Sequence, residues 1–238
     1  MAQPTVVISG AGIAGPALAF WLNKSGYRVT IVELADDIRP GGQTVDLRGA
    51  GGDVVERMGL IDQMRQRSLD HKGAAWIRAD GSRRADMPVT AFHGNGLVSK
   101  LEILRGDLVD VLYQATKDRA EYRFDTRIDE LNENEDAVQA TLSDGTTLYA
   151  DLVVGCDGPH SAVRRLVFGP EERLVKPLGG YNAWFRSRHR RARRLVSDVP
   201  GARPQCVDAS MRRCVDATVA RTDARQGGTR IPVGTSRV

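Results

Sequence analysis

The chain has 238 residues, of which 27% are charged and 41% hydrophobic, with a formal net charge of +4 at pH 7. This length suffices for one large domain or two small ones. There is no apolar run of 18 residues and no signal-peptide pattern, so we expect a soluble, cytoplasmic protein without a membrane span. The three cysteines lack metal-ligand spacing, which suits a reducing compartment and predicts no metal site.

The charge is unevenly distributed. Residues 186–238 contain 13 arginines, no lysine, four aspartates and no glutamate, a balance of +9, whereas residues 1–185 carry −5. The basic segment also lacks aromatic residues other than His189, and so has little apolar surface to offset the entropy of ordering. We therefore predict a folded domain over residues 1–185 and an Arg-rich tail of low order over residues 186–238.

The first predicted elements form a βαβ unit. A β-branched run at residues 6–8 is typical of a buried strand, apolar residues recur at helical spacing over residues 14–24, and residues 29–32 form a second strand. Between the first strand and the helix lie Gly10 and Gly12, and Gly15 follows in the first turn. This pattern predicts a tight turn, close approach to a pyrophosphate and close helix–sheet packing.

A dinucleotide fits this unit. The helix start, at Ile13 and Ala14, presents unpaired N–H groups and a positive dipole end to phosphates. Glu33, 18 residues after Gly15, ends the second strand, where a carboxylate can accept hydrogen bonds from a ribose diol. Its charge disfavours a 2′-phosphate, so FAD or NAD fits better than NADP. A glycine turn without a ligand is the alternative.

Less specific elements follow. A loop runs from Arg39 to Arg48, and we expect one helix after it, with an apolar face formed by Val54, Val55, Met58 and Leu60. Residues 79–82 predict a hairpin turn. A helix should begin near Gly106, with Asp107 in its first turn. Arg105 can then reach inward from a strand end, unless it is an ordinary arginine in solvent.

The last patterned region is rich in strands. Residues 121–124, 127–133, 137–143 and 146–149 predict an antiparallel meander, with a hairpin turn at residues 143–146. Residues 152–154 predict a fully buried strand, and residues 161–168 a helix. Asp157, before Gly158, would lie at the carboxyl end of a parallel strand, where such sheets bind ligands. An Asp-Gly pair is also a common turn.

Four motifs resemble the FAD-dependent aromatic hydroxylases, the group A flavoprotein monooxygenases related to para-hydroxybenzoate hydroxylase and similar to tetracycline-inactivating monooxygenases. In order over residues 5–185 they are GAGIAGPALAFWL, RPGGQTVDLRG, EILRGDLVDVL and DLVVGCDGPHSAVRRLV. The resemblance implies an α/β fold: a Rossmann-like FAD-binding domain with a mainly parallel sheet and an antiparallel meander. An incomplete substrate domain and a disordered basic tail would follow.

The resemblance also implies the chemistry. NADPH or NADH would reduce bound FAD, and O₂ would hydroxylate an aromatic or polyketide-like substrate. Arg105 and Asp157 would contact the phosphates and ribityl chain, and Arg39 the nicotinamide cofactor. No acid–base catalyst is implied, because the cofactor carries the chemistry. The full set of implied cofactor contacts is Gly10, Gly12, Ile13, Ala14, Gly15, Glu33, Arg39, Asp46, Arg48, Arg105, Asp157 and Gly158.

The sequence departs from this family after about residue 185. A substrate-domain sheet and a second FAD-binding Gly-Asp segment are expected there and are not found. We expect the tail to be an out-of-frame translation; a basic arm for nucleic acid and an ordered basic domain are the alternatives. FAD binding would then be weak. Alternative functions are an FAD-dependent reductase or oxidase without hydroxylation, and a non-catalytic nucleic-acid binder.

Overall fold

The computed structural model describes residues 2–69, 73–77, 82–94, 99, 101–176, 180–186 and 215–221. In these ranges the strands are β1 (Thr5–Ser9), β2 (Arg28–Val32), β3 (Thr44–Asp46), β4 (Gly73–Ile77), β5 (Arg83–Pro88), β6 (Glu102–Leu104), β7 (Ala120–Arg123), β8 (Ile128–Glu133), β9 (Val138–Leu142), β10 (Thr147–Ala150), β11 (Leu152–Gly155), β12 (Gly180–Arg186) and β13 (Val215–Arg221). The α-helices are α1 (Ala14–Lys24), α2 (Ala50–Arg57), α3 (Ile61–Arg67), α4 (Arg105–Gln114) and α5 (Ala162–Phe168). None of the described helices has the length and apolar character needed to cross a bilayer.

The predicted βαβ unit forms the centre of a parallel sheet. The strand order is β11-β1-β2-β7, and every neighbouring pair is parallel. Helix α1 connects β1 to β2 and spans the predicted residues 14–24. A parallel neighbour requires such a crossover, which brings the carboxyl ends of β1, β2 and β11 to one edge.

Both faces of this sheet are buried. One face packs Ile8 and Ile31, each 0% exposed, beneath Ala19 of α1. The other face packs Val7 and Val32 against the meander and α5. Burying side chains of this size contributes about 1.5–3 kcal/mol each, so β-branched runs on both strands stabilise the sheet directly.

A second layer surrounds α4. Its buried residues Leu108, Val111 and Leu112 pack with Met64 of α3 and Ile103 of β6, and α4 also packs against α1. The predicted helix start near Gly106 is confirmed, since α4 begins at Arg105 with Asp107 in its first turn.

The helix predicted after the loop at residues 39–48 exists as α2, but Met58 and Leu60, two of the four residues of its predicted apolar face, lie beyond its end at Arg57. The structure has two short helices, α2 and α3, separated at Gly59, which has a φ of 73°. Val55 is buried, but Val54 is 39% exposed. The apolar spacing across the break resembles one helical face because both helices pack on the same core cluster.

The predicted four-stranded meander is wrong in its first strand. Strands β8, β9 and β10 form the antiparallel sheet, and the hairpin turn at residues 143–146 is confirmed by the Leu142 N–H donating to the Thr146 carbonyl (2.8 Å). Strand β7 instead pairs in parallel with β2. A four-residue β-rich run does not show which neighbour it will pair with, and α4 carries the chain back to the main sheet.

The strand predicted at residues 152–154 exists, but it is not fully buried. Strand β11 lies at an edge of the described sheet, and Leu152 is 49% exposed. The predicted helix after it is confirmed as α5, where the Ser161 hydroxyl oxygen accepts a hydrogen bond from the Arg164 N–H (2.9 Å). This cap fixes the helix start close to the end of β11.

Two predictions, the hairpin turn at residues 79–82 and the domain boundary after residue 185, concern regions that the structure describes only in part. Strands β4 and β5 pair as an antiparallel hairpin, but three of the four residues of the predicted turn at 79–82 lie outside the described residues. Near the predicted domain boundary, β12 pairs antiparallel with β13. Residues 187–214 and 222–238 are outside the described ranges, so the low order of the tail stays a prediction.

Candidate functional site

Two of the three motif glycines are required by packing. Gly10 has a φ of 106°, and a Cβ there would lie 2.6 Å from the Cys156 carbonyl oxygen. A Cβ on Gly15 would lie 1.9 Å from the Gly10 carbonyl oxygen. The turn is therefore held tightly between the start of α1 and the end of β11, as predicted from the motif.

Gly12 has a different environment. A Cβ there would meet only one atom within 4 Å, a terminal nitrogen of the Arg105 side chain at 3.6 Å. Space therefore remains between the turn and this guanidinium group. A ligand can approach the backbone of Gly12 there without meeting a side chain.

A second loop positions Arg105. Its backbone N–H donates to the Gln43 carbonyl (2.9 Å), and the Gly106 N–H donates to the Gly41 carbonyl (2.6 Å). A Cβ on Gly106 would lie 2.2 Å from the Gly41 nitrogen, so only glycine permits this contact. Within the described part of the chain, the guanidinium of Arg105 has no carboxylate partner and no hydrogen bond. It is a half-buried cation available to an anion.

Glu33 is held by backbone groups. Its Oε2 accepts a hydrogen bond from the Ala11 N–H (2.7 Å), and its Oε1 accepts one from the Ala35 N–H (3.0 Å). The Gly10 N–H donates to the Val32 carbonyl (2.7 Å). The carboxylate is therefore fixed beside the glycine turn, with lone pairs remaining on both oxygens.

Asp157 has one satisfied and one unsatisfied oxygen. Its Oδ2 accepts hydrogen bonds from the N–H groups of Ala162 (2.7 Å) and Val163 (3.3 Å), and from the Ser9 hydroxyl (3.3 Å). Its Oδ1 is buried and has no hydrogen-bond partner among the described residues. A buried carboxylate oxygen without a donor is costly, and a ligand hydroxyl would relieve that cost.

Cys156, beside Asp157, is a free thiol. Burial, followed by the charge of Asp157, raises the pKa of this thiol above its ordinary value. A raised pKa lowers the thiolate fraction at neutral pH, so the thiol is a weaker nucleophile than an exposed cysteine.

These groups line one cavity of about 730 Å³ at the carboxyl edge of the sheet. Nine predicted contacts line it: Gly10, Gly12, Ile13, Ala14, Glu33, Arg39, Arg105, Asp157 and Gly158. Gly15 is buried beneath the turn. Asp46 and Arg48 are not among the lining residues; they form an ion pair with each other at the end of β3.

Several residues that line the cavity were not predicted from the sequence. Thr126 and Arg127 line the cavity directly after β7, and Leu34, Asp37 and Ile38 line it after β2. The rule that ligands lie at the carboxyl ends of parallel strands finds these positions. Assigning residues 121–124 to the meander concealed Thr126 and Arg127.

Fold and site together define a dinucleotide-binding α/β protein. Three features match a hydroxylated chain joined to a diphosphate: the open space at Gly12, and, among the described residues, the Asp157 Oδ1 without a donor and the Arg105 cation without an ion pair. The cavity also lies at the end of the strands where this class binds its ligands.

The comparisons with known proteins give the family. The model of the FAD binding domain matches residues 3–186, so the chain belongs to this family. FAD-dependent monooxygenase asL4 of Sarocladium schorii is 40% identical over 190 residues, which are 78% of this chain and 44% of that protein. An uncharacterised protein of Mycobacterium tuberculosis is 46% identical over 182 residues, 76% of this chain and 49% of that protein.

A solved structure supports the same fold. The crystal structure of tetracycline destructase Tet(55) has 34% sequence identity and a TM-score of 0.66, covering 78% of this chain and 46% of that one. Over about three quarters of its length the chain is thus similar to flavin-dependent monooxygenases, and it spans about half the length of the curated relatives it matches.

Proposed function

We propose that this chain binds FAD in the cavity described above and supplies the dinucleotide-binding part of an NAD(P)H-dependent monooxygenase. The observation that carries the proposal is the position of Gly12, Arg105 and Asp157 around one cavity. Family membership supports the cofactor, and the names of relatives such as the tetracycline destructase support hydroxylation of an aromatic or polyketide-like molecule.

Each group has a distinct task in binding. The N–H groups at the start of α1 and the Arg105 guanidinium would hold the diphosphate, because both place positive charge beside Gly12. Glu33 would accept hydrogen bonds from the adenosine ribose. The free Oδ1 of Asp157 would accept a hydroxyl of the ribityl chain.

Bound FAD would supply the electron transfer and oxygen chemistry, while the protein positions it and excludes water. The lining residue Arg39, with no ion pair in the described part of the chain, stays the predicted contact for NADPH or NADH. Asp46 and Arg48 also stay predicted cofactor contacts, although their ion pair lies outside the cavity lining.

The binding proposal is tested by titrating the full chain with FAD and following the quenching of flavin fluorescence. Arg105→Gln should raise the Kd at least about tenfold, since a hydrogen bond to a charged group contributes roughly 1.5–3 kcal/mol. Arg119→Gln is the matched control: it removes the same charge from an exposed position outside the cavity lining. Equal Kd values for the two variants would contradict the proposed site.

The reaction is tested separately. We expect FAD-loaded protein to oxidise NADPH or NADH faster when an aromatic substrate is present, with ¹⁸O from O₂ appearing in the product. Reduction of FAD without incorporation of oxygen would refute the monooxygenase proposal and leave the binding site intact.

A further inference from the structure

One wall of the cavity is a short segment between β11 and α5. Asp157, Gly158, Pro159 and His160 line the cavity in succession, and Ala162 lines it from the first turn of α5. These residues are fixed at one end by the N–H groups that bond Asp157 Oδ2. The other end needs a second support, because Gly158 to His160 are exposed.

Glu171 provides that support from outside the cavity. It begins the short 3₁₀ helix Glu171–Arg173 after α5 and is not among the lining residues. Its Oε1 lies 3.0 Å from the His160 Nδ1, and its Oε2 accepts a hydrogen bond from the Arg164 guanidinium (3.3 Å). One carboxylate therefore joins a cavity-lining imidazole to an arginine of α5.

Arg164 connects Glu171 to the backbone of the cavity wall. The same guanidinium nitrogen that bonds Glu171 also donates to the Pro159 carbonyl, and Arg165 donates to the His160 carbonyl (3.1 Å). The side chains of Glu171 and Arg164 are each 26% exposed, whereas the His160 side chain is 84% exposed. The ion pair between Glu171 and Arg164 is thus the more ordered contact, and it restrains the exposed side chain of His160.

We propose that Glu171 is a positioning residue for FAD binding, acting through Arg164 and His160 to hold the wall next to Asp157. The inference depends on the proposed FAD site. Without the carboxylate, Arg164 loses its ion pair and the segment at residues 158–161 samples more conformations. The Asp157 Oδ1 is then aligned with the ligand for less of the time, and the affinity falls.

The test compares Glu171→Ala, Glu171→Gln and Glu172→Ala in the full chain. Glu172 is the matched control, since it is the next residue of the same 3₁₀ helix, is exposed and makes no side-chain hydrogen bond or ion pair with the described residues. Glu171→Ala should raise the Kd for FAD about fivefold, as expected for a partly exposed ion pair. Glu171→Gln keeps an acceptor for Arg164 and should recover part of that loss. Glu172→Ala should bind as wild type does.

Two further measurements separate positioning from general stability. Amide hydrogen exchange of residues 158–163 in the FAD-free protein should be faster in Glu171→Ala than in Glu172→Ala, while the urea midpoint stays unchanged. A wild-type Kd in Glu171→Ala, or an equal loss of FAD affinity in Glu172→Ala, would overturn the role of Glu171 but not the proposed FAD site. A lowered urea midpoint that accounts for the lost affinity would also overturn it. Wild-type protein that binds no FAD would refute the proposed function itself.

Discussion

Replacing Gly15 with alanine separates the structural from the ligand-binding role of the glycine turn. The new Cβ would lie 1.9 Å from the Gly10 carbonyl oxygen, a backbone atom that cannot rotate away. The start of α1 or the turn must therefore move by about 1.5 Å to reach an ordinary contact. Overpacking of this kind costs typically 1–3 kcal/mol, which at 2–4 °C per kcal/mol for a domain of this size lowers the Tm by roughly 2–12 °C.

Two other glycines give the comparison. Gly12→Ala meets only the Arg105 side chain at 3.6 Å, so the fold should keep its wild-type Tm while the Kd for FAD rises at least tenfold. Gly51→Ala, in α2, meets nothing within 4 Å among the described residues, so it should leave the free energy of unfolding unchanged or raise it by up to about 1 kcal/mol, with a Tm at or slightly above that of wild type.

The assays are thermal unfolding by circular dichroism without FAD, and FAD titration of the folded variants. The expected order of Tm is Gly51→Ala at or above wild type, Gly12→Ala equal to wild type, and Gly15→Ala clearly below. A Gly15→Ala protein as stable as wild type would refute the packing argument. A Gly12→Ala protein that binds FAD normally would refute the role assigned to the open space.

Three further predictions concern stability. Burial of the phenol raises the pKa of Tyr122 to about 12, although its hydroxyl lies 2.6 Å from the Thr116 Oγ1. Its contribution to stability is present below the pKa of the unfolded state and is lost as pH rises toward 12, and Tyr122→Phe should flatten the alkaline part of an unfolding-versus-pH curve. Hydrogen bonds from the N–H and hydroxyl of Thr5 lower the pKa of Asp151. The contribution of Asp151 to stability is therefore present above the pKa of the unfolded state and is lost as pH falls through the lower folded value. In Asp151→Asn, the loss of stability at acid pH should be smaller than in wild type, and an unchanged acid part of the unfolding-versus-pH curve would contradict this cause. Ser161→Ala removes the α5 cap and should lower the urea-derived free energy of unfolding by about 1 kcal/mol, whereas an equal value would show that the cap is dispensable.

Much of the fold follows from local sequence signals. The βαβ unit was predictable because β-branched runs, helical spacing and motif glycines all agree over residues 5–33, and α4 and α5 have similarly clear starts. The partner of β7 was not predictable, since a short strand carries no signal for its neighbour. The exposure of Leu152 and the break at Gly59 likewise depend on what packs nearby.

The residues of the site likewise divide into those that the sequence predicts and those that depend on tertiary packing. Gly10, Gly12, Glu33 and Asp157 were found because turn chemistry and strand ends mark them in the sequence. The contacts of Arg105 required coordinates, since they depend on a loop some 60 residues earlier packing on Gly106. The network around Glu171 was also invisible, because nothing in its sequence context distinguishes it from Glu172.

The cavity is assembled from four distant stretches, at residues 9–14, 32–39, 105–109 and 156–165, with Thr126 and Arg127 between the last two. During synthesis, a growing chain holds the glycine turn and Glu33 long before Asp157 has left the ribosome. The complete pocket therefore exists only after α5 has been synthesised, and a chain that ends earlier contains only part of its lining.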